Sequence, residues 1–136
     1  MTTITLYRRE GVFCGFRAEG HAGFSEEGSD IVCAAVSALT QSALLGLEEV
    51  VGIPVRVRRS DREGLLEVIL PRNERADKID QAQVLLRTLL SGLNCISRDY
   101  PGFVRVICKE WRLSKCSRSE EHTSELQSPN NLVCRL

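Results

Sequence analysis

Apolar and polar positions alternate with a period of two from the start of the chain. Ile4 and Leu6 alternate with Thr5 and Tyr7, and after Arg9-Glu10-Gly11 the residues Val12, Cys14, Phe16 and Ala18 share one face of a second run. These two runs predict a β-hairpin. From Ile31 to about Val51 the pattern changes: Ala34, Ala35, Ser37, Ala38, Ser42, Ala43 and Gly46 mix with Leu39, Leu44, Leu45 and Leu47. Apolar positions run almost all round such a helix, which predicts burial on most sides, against the sheet and against a second helix or another subunit. Gly52 and Pro54 end it. Val55 and Val57 then alternate with Arg56 and Arg58, and beyond the polar turn Ser60-Asp61-Arg62-Glu63-Gly64 the run Leu65 to Leu70 completes a second hairpin. Residues 74 to 97 place Ile79, Ala82, Leu86, Leu89, Leu90, Leu93 and Ile96 on one helical face, with Asn73 as N-cap. Tyr100-Pro101-Gly102 turns the chain into a last strand, where Val104, Val106 and Cys108 share a face. The order ββαββαβ predicts an α+β domain: a mainly antiparallel five-stranded sheet with two helices on one face. Periodicity leaves the strand order open.

The pattern stops after Trp111. Residues 113 to 136 are polar and nearly aperiodic, and the run from Arg118 to Ser128 reads as the translation of a sequencing-library adapter joined to a truncated gene. The expected division is therefore one domain, 1–112, followed by a non-native, disordered tail, 113–136. His122, Cys116 and Cys134 then carry no claim to a site.

Eighteen basic residues balance 18 acidic ones, and the tail removes three of each, so the balance survives its exclusion. No overall electrostatic footprint for nucleic acid results, and no direct nucleic-acid partner is expected. Arg56, Arg58, Arg59 and Arg62 are interleaved with Asp61, Glu63 and Glu67, as on a solvated strand face. Residues 31 to 47 carry no charge, but Ser37, Thr40, Gln41 and Ser42 interrupt the run, which favours a buried soluble helix over a membrane span. The six cysteines include no CxxC pair, and the first residues, which read directly as a strand, lead to the expectation of no signal peptide. A reducing cytoplasm with free thiols is expected.

The candidate chemistry lies where the period changes from two to 3.6. The second strand runs into Gly20-His21-Ala22-Gly23-Phe24, and the helix opens after Gly28-Ser29-Asp30 with Ile31-Val32-Cys33. Ser29 and Asp30 are capping residues, so Cys33 is expected in the first helical turn, facing unpaired N–H groups and the positive end of the helix dipole. That setting, with an imidazole nearby, favours the thiolate, which is the nucleophile. His21, flanked by the small residues Gly20 and Gly23, is placed to act as general base and then general acid. Ser37 follows Cys33 by one turn on the same face and is a supporting candidate. Cys14 lies among apolar residues and reads as an inert core thiol.

These residues carry a resemblance. Gly-His-Ala, a short loop holding Gly and Asp, and then Asp-Ile-Val-Cys-Ala-Ala-Val-Ser resemble the ribosomal-processing cysteine proteases of bacteria over roughly residues 2 to 111, with Leu90-Ser91-Gly92-Leu93 and Tyr100-Pro101-Gly102 further along. The resemblance implies a cytoplasmic endopeptidase that trims the N-terminal extension of a large-subunit ribosomal protein, the twenty-seventh in the usual count. It implies His21 and Cys33 as the catalytic dyad, no cofactor and no metal. It also implies an extended substrate with aromatic residues just before the cut, suited by a groove near Phe24 and the helix start.

Other readings remain at this point. The chain can be a non-catalytic module that binds the same ribosomal protein, or Cys14, His21 and Cys33 can form a metal site, which lacks close ligand spacing and a fourth ligand. Asp30 can cap the helix or orient His21. The loop Ala22 to Asp30, with Gly23 and Gly28 and one large apolar residue, Phe24, is expected to be mobile without substrate and to close over a peptide. The uncharged helix favours a homodimer over a monomer.

Overall fold

The protein, a computed structural model, is described for residues 1–20 and 29–111, with Ser29 and Asp30 described for their backbone alone. Its elements are β1 (Thr2–Arg9), β2 (Val12–Glu19), α1 (Ser29–Leu45), β3 (Arg56–Ser60), β4 (Leu65–Ile69), α2 (Ala76–Asp99) and β5 (Val104–Glu110). The five strands form one sheet in the order β3-β4-β2-β1-β5. Three pairings are antiparallel, and β5 lies parallel to β1. The α+β expectation, with its mainly antiparallel sheet, describes this architecture. The parallel pair arises because α2 carries the chain back along the sheet before β5 begins, the crossover that parallel neighbours require.

Both helices cover one face of the sheet. Ile4, Leu6, Phe16, Val68 and Val104 from the strands meet Val36, Leu47, Leu86 and Leu93 from the helical layer in a single core. Leu39 packs against Gly92, and Leu85 against Gly46. Since position rises along one helix as it falls along the other, α1 and α2 run antiparallel. The last turn of the first helix widens into a π-helix over Gly46–Val51 and stops at Gly52, whose N–H donates to Leu47 O at 3.0 Å.

Four expectations need correction. First, within one chain the helix is packed on one side only: Ile31 and Leu45 of α1 are 67 and 49% exposed and Val50 of the π-helix 82%, which leaves only another subunit of the expected covers for that side. Second, Cys14 does not share a face with Phe16. Tyr7 pairs with Gly15 and Arg8 with Phe13, so Cys14 is the extra residue of a β-bulge. The bulge resets the alternation, sending Phe13 and Phe16 into the main core and Cys14 to the other face with Tyr7, Ile69 and Trp111. Third, α2 begins at Ala76 behind Arg75 as N-cap, rather than behind Asn73. Arg75 there takes its N–H to Glu74 and its guanidinium to Asp77, each at 3.0 Å. Fourth, Cys14, Cys33 and Cys95 are free thiols as expected, but Cys108 is disulfide-bonded.

Candidate active site

α1 begins at Ser29, two residues earlier than its apolar pattern suggests. Asp30 therefore falls inside the first turn and not at the N-cap position that its capping reading requires. Cys33 becomes the fifth helical residue, one turn in. Helical side chains lean towards the N-terminus, which still aims the thiol at the turn whose N–H groups lack helical partners.

Cys33 is half-buried and opens into a cleft of about 230 Å³. One wall is α1, through Cys33, Ser37 and Gln41; the floor includes the ends of β1 and β2 at Thr2, Glu19 and Gly20; the far wall is the β3–β4 turn, with Arg59, Ser60, Asp61 and Gly64. The sheet register builds this cleft. Glu19 pairs with Leu65 and Leu65 with Ser60, so the β3–β4 turn comes to the same end of the sheet at which β2 finishes. Thr40 is buried behind the cleft and donates to Val36 O at 3.0 Å, which spends its hydroxyl on the helix.

Gly20 is fixed at the floor. Its φ is +113°, and a Cβ there would stand 2.5 Å from the carbonyl oxygen of Met1. β2 thus leaves the sheet at the cleft through a residue that only glycine suits. His21, Ala22, Gly23, Phe24 and Gly28 lie outside the described residues, and so does the loop expected to close. Of the sites named from sequence, the structure brings Cys33, Ser37 and Gly20 to one cleft, with Ser37 exposed along its helical wall.

The remaining free thiols are placed differently. Burial among Tyr7, Ile69 and Trp111 pushes the Cys14 thiol up to about 11, with the charges of Arg9 and Glu110 as lesser, opposed influences. Cys14 is thus a neutral thiol on the face away from the helices, as its inert reading requires. Cys95 is exposed on α2, where Arg98 Nη2 donates to its sulfur at 3.3 Å. Cys14 and Cys33 are on opposite faces, so a metal site joining them does not form. Among the described residues no group of three His, Cys, Asp or Glu is gathered to hold a metal.

Sequence reasoning missed Arg59, Ser60, Asp61 and Gly64 as walls of this site. Their alternation with carboxylates marks a polar hairpin wherever it lies, and only the pairing of β4 with β2 turns it towards Cys33.

The arrangement suits covalent catalysis: a half-buried thiol one turn into a helix, open to a cleft between that helix and a hairpin turn. Comparison with known proteins agrees. The family model for the cysteine protease Prp matches residues 1–105. The ribosomal processing cysteine protease Prp of Bacillus subtilis is 30% identical over 104 residues, covering 76% of this chain and 92% of that protein. The crystal structure of an essential ribosomal processing protease Prp from S. aureus in complex with a substrate peptide is 25% identical with a TM-score of 0.70, and covers 80% of this chain and 100% of that one. The same S. aureus protease in complex with a covalently linked product peptide is 26% identical with a TM-score of 0.68, at the same coverage. The chain therefore belongs to the cysteine protease Prp family.

Proposed function

We propose that this protein is a cysteine endopeptidase of ribosome assembly that removes the N-terminal extension of the large-subunit ribosomal protein counted twenty-seventh. The observation that carries this reading is the position of Cys33, a free thiol one turn into α1 that opens into the cleft where β2 ends. The covalently linked product peptide of the S. aureus relative supports a thiol nucleophile.

In this mechanism Cys33 Sγ attacks the scissile carbonyl carbon as His21 takes the thiol proton. The N–H groups of the first turn of α1 receive the negative charge that develops on the carbonyl oxygen. His21 returns the proton to the leaving amine, the C–N bond breaks, and a thioester remains on Cys33. Water, deprotonated by His21, then releases the new C-terminal carboxylate and restores the thiol. His21 is assigned from the sequence motif and from its covalent place directly after Gly20, which lines the Cys33 cleft. The residues before the cut run between α1 and the β3–β4 turn. The enzyme works in the cytoplasm, and the residues of its catalytic machinery all lie within the domain 1–112.

Two copies associate through α1, whose outward side presents Ile31, Ala34, Ala38 and Leu45 without a charge. Such a stripe suits a two-fold interface better than open water.

The test is mass spectrometry of a peptide carrying the extension, incubated with the protein and a reducing agent. A single cut that is lost in His21→Ala and in Cys33→Ser supports the reading. A peptide that binds and stays whole would replace it with the non-catalytic binding module.

A further inference from the structure

At the end of the sheet opposite Cys33, on the face without helices, three arginines meet around a pocket of about 350 Å³. Arg9 ends β1, Arg56 opens β3 and Arg72 follows β4, while Trp111, Ile69 and Pro71 supply apolar wall. The pocket follows from the pairing. Arg56 is the ladder partner of Ile69, Ile69 is the partner of Gly15, and Gly15 is the partner of Tyr7. The Ile69 side chain lies over Gly15 and packs in one cluster with Tyr7 and Trp111, whose rings meet edge to face at 4.8 Å, so Ile69 and Trp111 form one apolar wall beside the arginines.

The lining of this pocket is basic, with Glu110 the nearby acidic group whose charge opposes that of Arg9 at Cys14. Ion pairs among the described residues engage Arg17, Arg58 and Arg75, but none engages Arg9, Arg56 or Arg72. No carboxylate is among the described residues of the wall. Three arginines line one small pocket, and like charges so arranged favour an anion over a cation within it. A guanidinium fork matches phosphate in geometry, and a tryptophan with adjacent proline and isoleucine gives a flat apolar surface to a ring.

We propose that this pocket binds a nucleotide, the arginines holding its phosphate and Trp111 lying against its base. A free mononucleotide and one residue of a single-stranded RNA present the same chemistry. The balanced net charge, which argued against a nucleic-acid partner, averages over the surface and conceals this local excess. The site is separate from the Cys33 cleft and does not rest on the peptidase reading.

Trp111 is the chain's single tryptophan, so its fluorescence reports this pocket alone. The full chain is titrated with uridine monophosphate, with a short oligouridylate and with oligoglutamate. Saturable quenching by either uridine ligand supports the proposal: by the mononucleotide alone, the ligand is a free nucleotide; by the oligomer, an RNA strand. For the oligomer, log affinity should fall against log salt with a slope of about −2, from roughly 0.7 counterions released per phosphate engaged by three arginines. Arg72→Glu, an exposed substitution outside the strands, should weaken binding about tenfold, and the double variant Arg56→Glu/Arg72→Glu further. Peptide cleavage should be unchanged in both. No quenching by either uridine ligand, equal quenching by oligoglutamate, or undiminished binding by a correctly folded Arg72→Glu protein overturns the proposal.

Discussion

The backbone of Gly15 lies so close to the carbonyl oxygen of Val68 that a Cβ on Gly15 would collide with it. The pairing of β2 with β4, and with it the β3–β4 wall of the Cys33 cleft, depends on a missing side chain. Gly15→Ala should destabilise the fold by about 1–3 kcal/mol, the usual cost of forcing an extra methyl group into a packed interior. Urea denaturation measures this, and an unchanged midpoint would show that β2 and β4 separate easily.

Gln83 clamps the bulge. Its Oε1 accepts the N–H of Phe13 at 2.9 Å, and its Nε2 donates to the carbonyl of the same residue at 2.8 Å. One amide on α2 thus satisfies both backbone groups of a buried strand residue. Gln83→Ala leaves both unpaired and should cost about 1–3 kcal/mol, whereas Gln83→Glu, which keeps the acceptor and loses the donor, should also destabilise. Denaturation midpoints of the two variants check this.

Cys14 gives a pH signature. Its thiol titrates near 9 when unfolded and is pushed up to about 11 by burial in the fold. Between these values the unfolded chain has lost a proton that the folded chain retains, so stability falls as pH rises from about 9 to 11, by at most about 2–3 kcal/mol. Burial raises Tyr7 beside it in the same direction, despite its hydrogen bond with Arg17. In Cys14→Ala the loss of stability between pH 8 and pH 10.5 should be smaller than in the parent protein. Equal losses would contradict the assignment.

Element order was legible because it is written locally: each strand and helix declares its period within ten or twenty residues, and Gly52 announces a stop without reference to anything distant. The place of Cys33 near the start of α1 was legible for the same reason, as it stands where one period gives way to the other. The bulge was not, since Cys14 alternates correctly with Phe16 until the partner strand is known, and the contact that holds the bulge spans 70 residues from Phe13 to Gln83. The parallel pairing of β5 with β1 and the turn of Ser60 and Asp61 towards Cys33 are likewise properties of the assembled sheet. The surplus of apolar positions on α1 was visible, but its partner was not. Its outward side remains exposed, which is the reason to propose a second copy there.

That proposal makes Ala38→Glu informative. Ala38 is exposed in the middle of the uncharged side of α1 and touches none of the cleft, so a carboxylate there should be tolerated by the isolated fold and repelled by its own copy across a two-fold axis. Sedimentation should find a dimer for the parent protein and a monomer for Ala38→Glu, with similar circular dichroism. A parent protein that is monomeric at high micromolar concentration would remove the dimer.

The identity of the nucleophile can be read directly by quenching the reaction with the extension peptide in acid during turnover and mapping the covalent adduct by tandem mass spectrometry. The predicted result is a thioester on Cys33, with the mass of the peptide portion before the cut, that forms and decays as product appears and is absent in Cys33→Ala. An adduct on Cys14 or Cys95, or cleavage at the parental rate by Cys33→Ala, would contradict the assignment of Cys33 as the catalytic thiol.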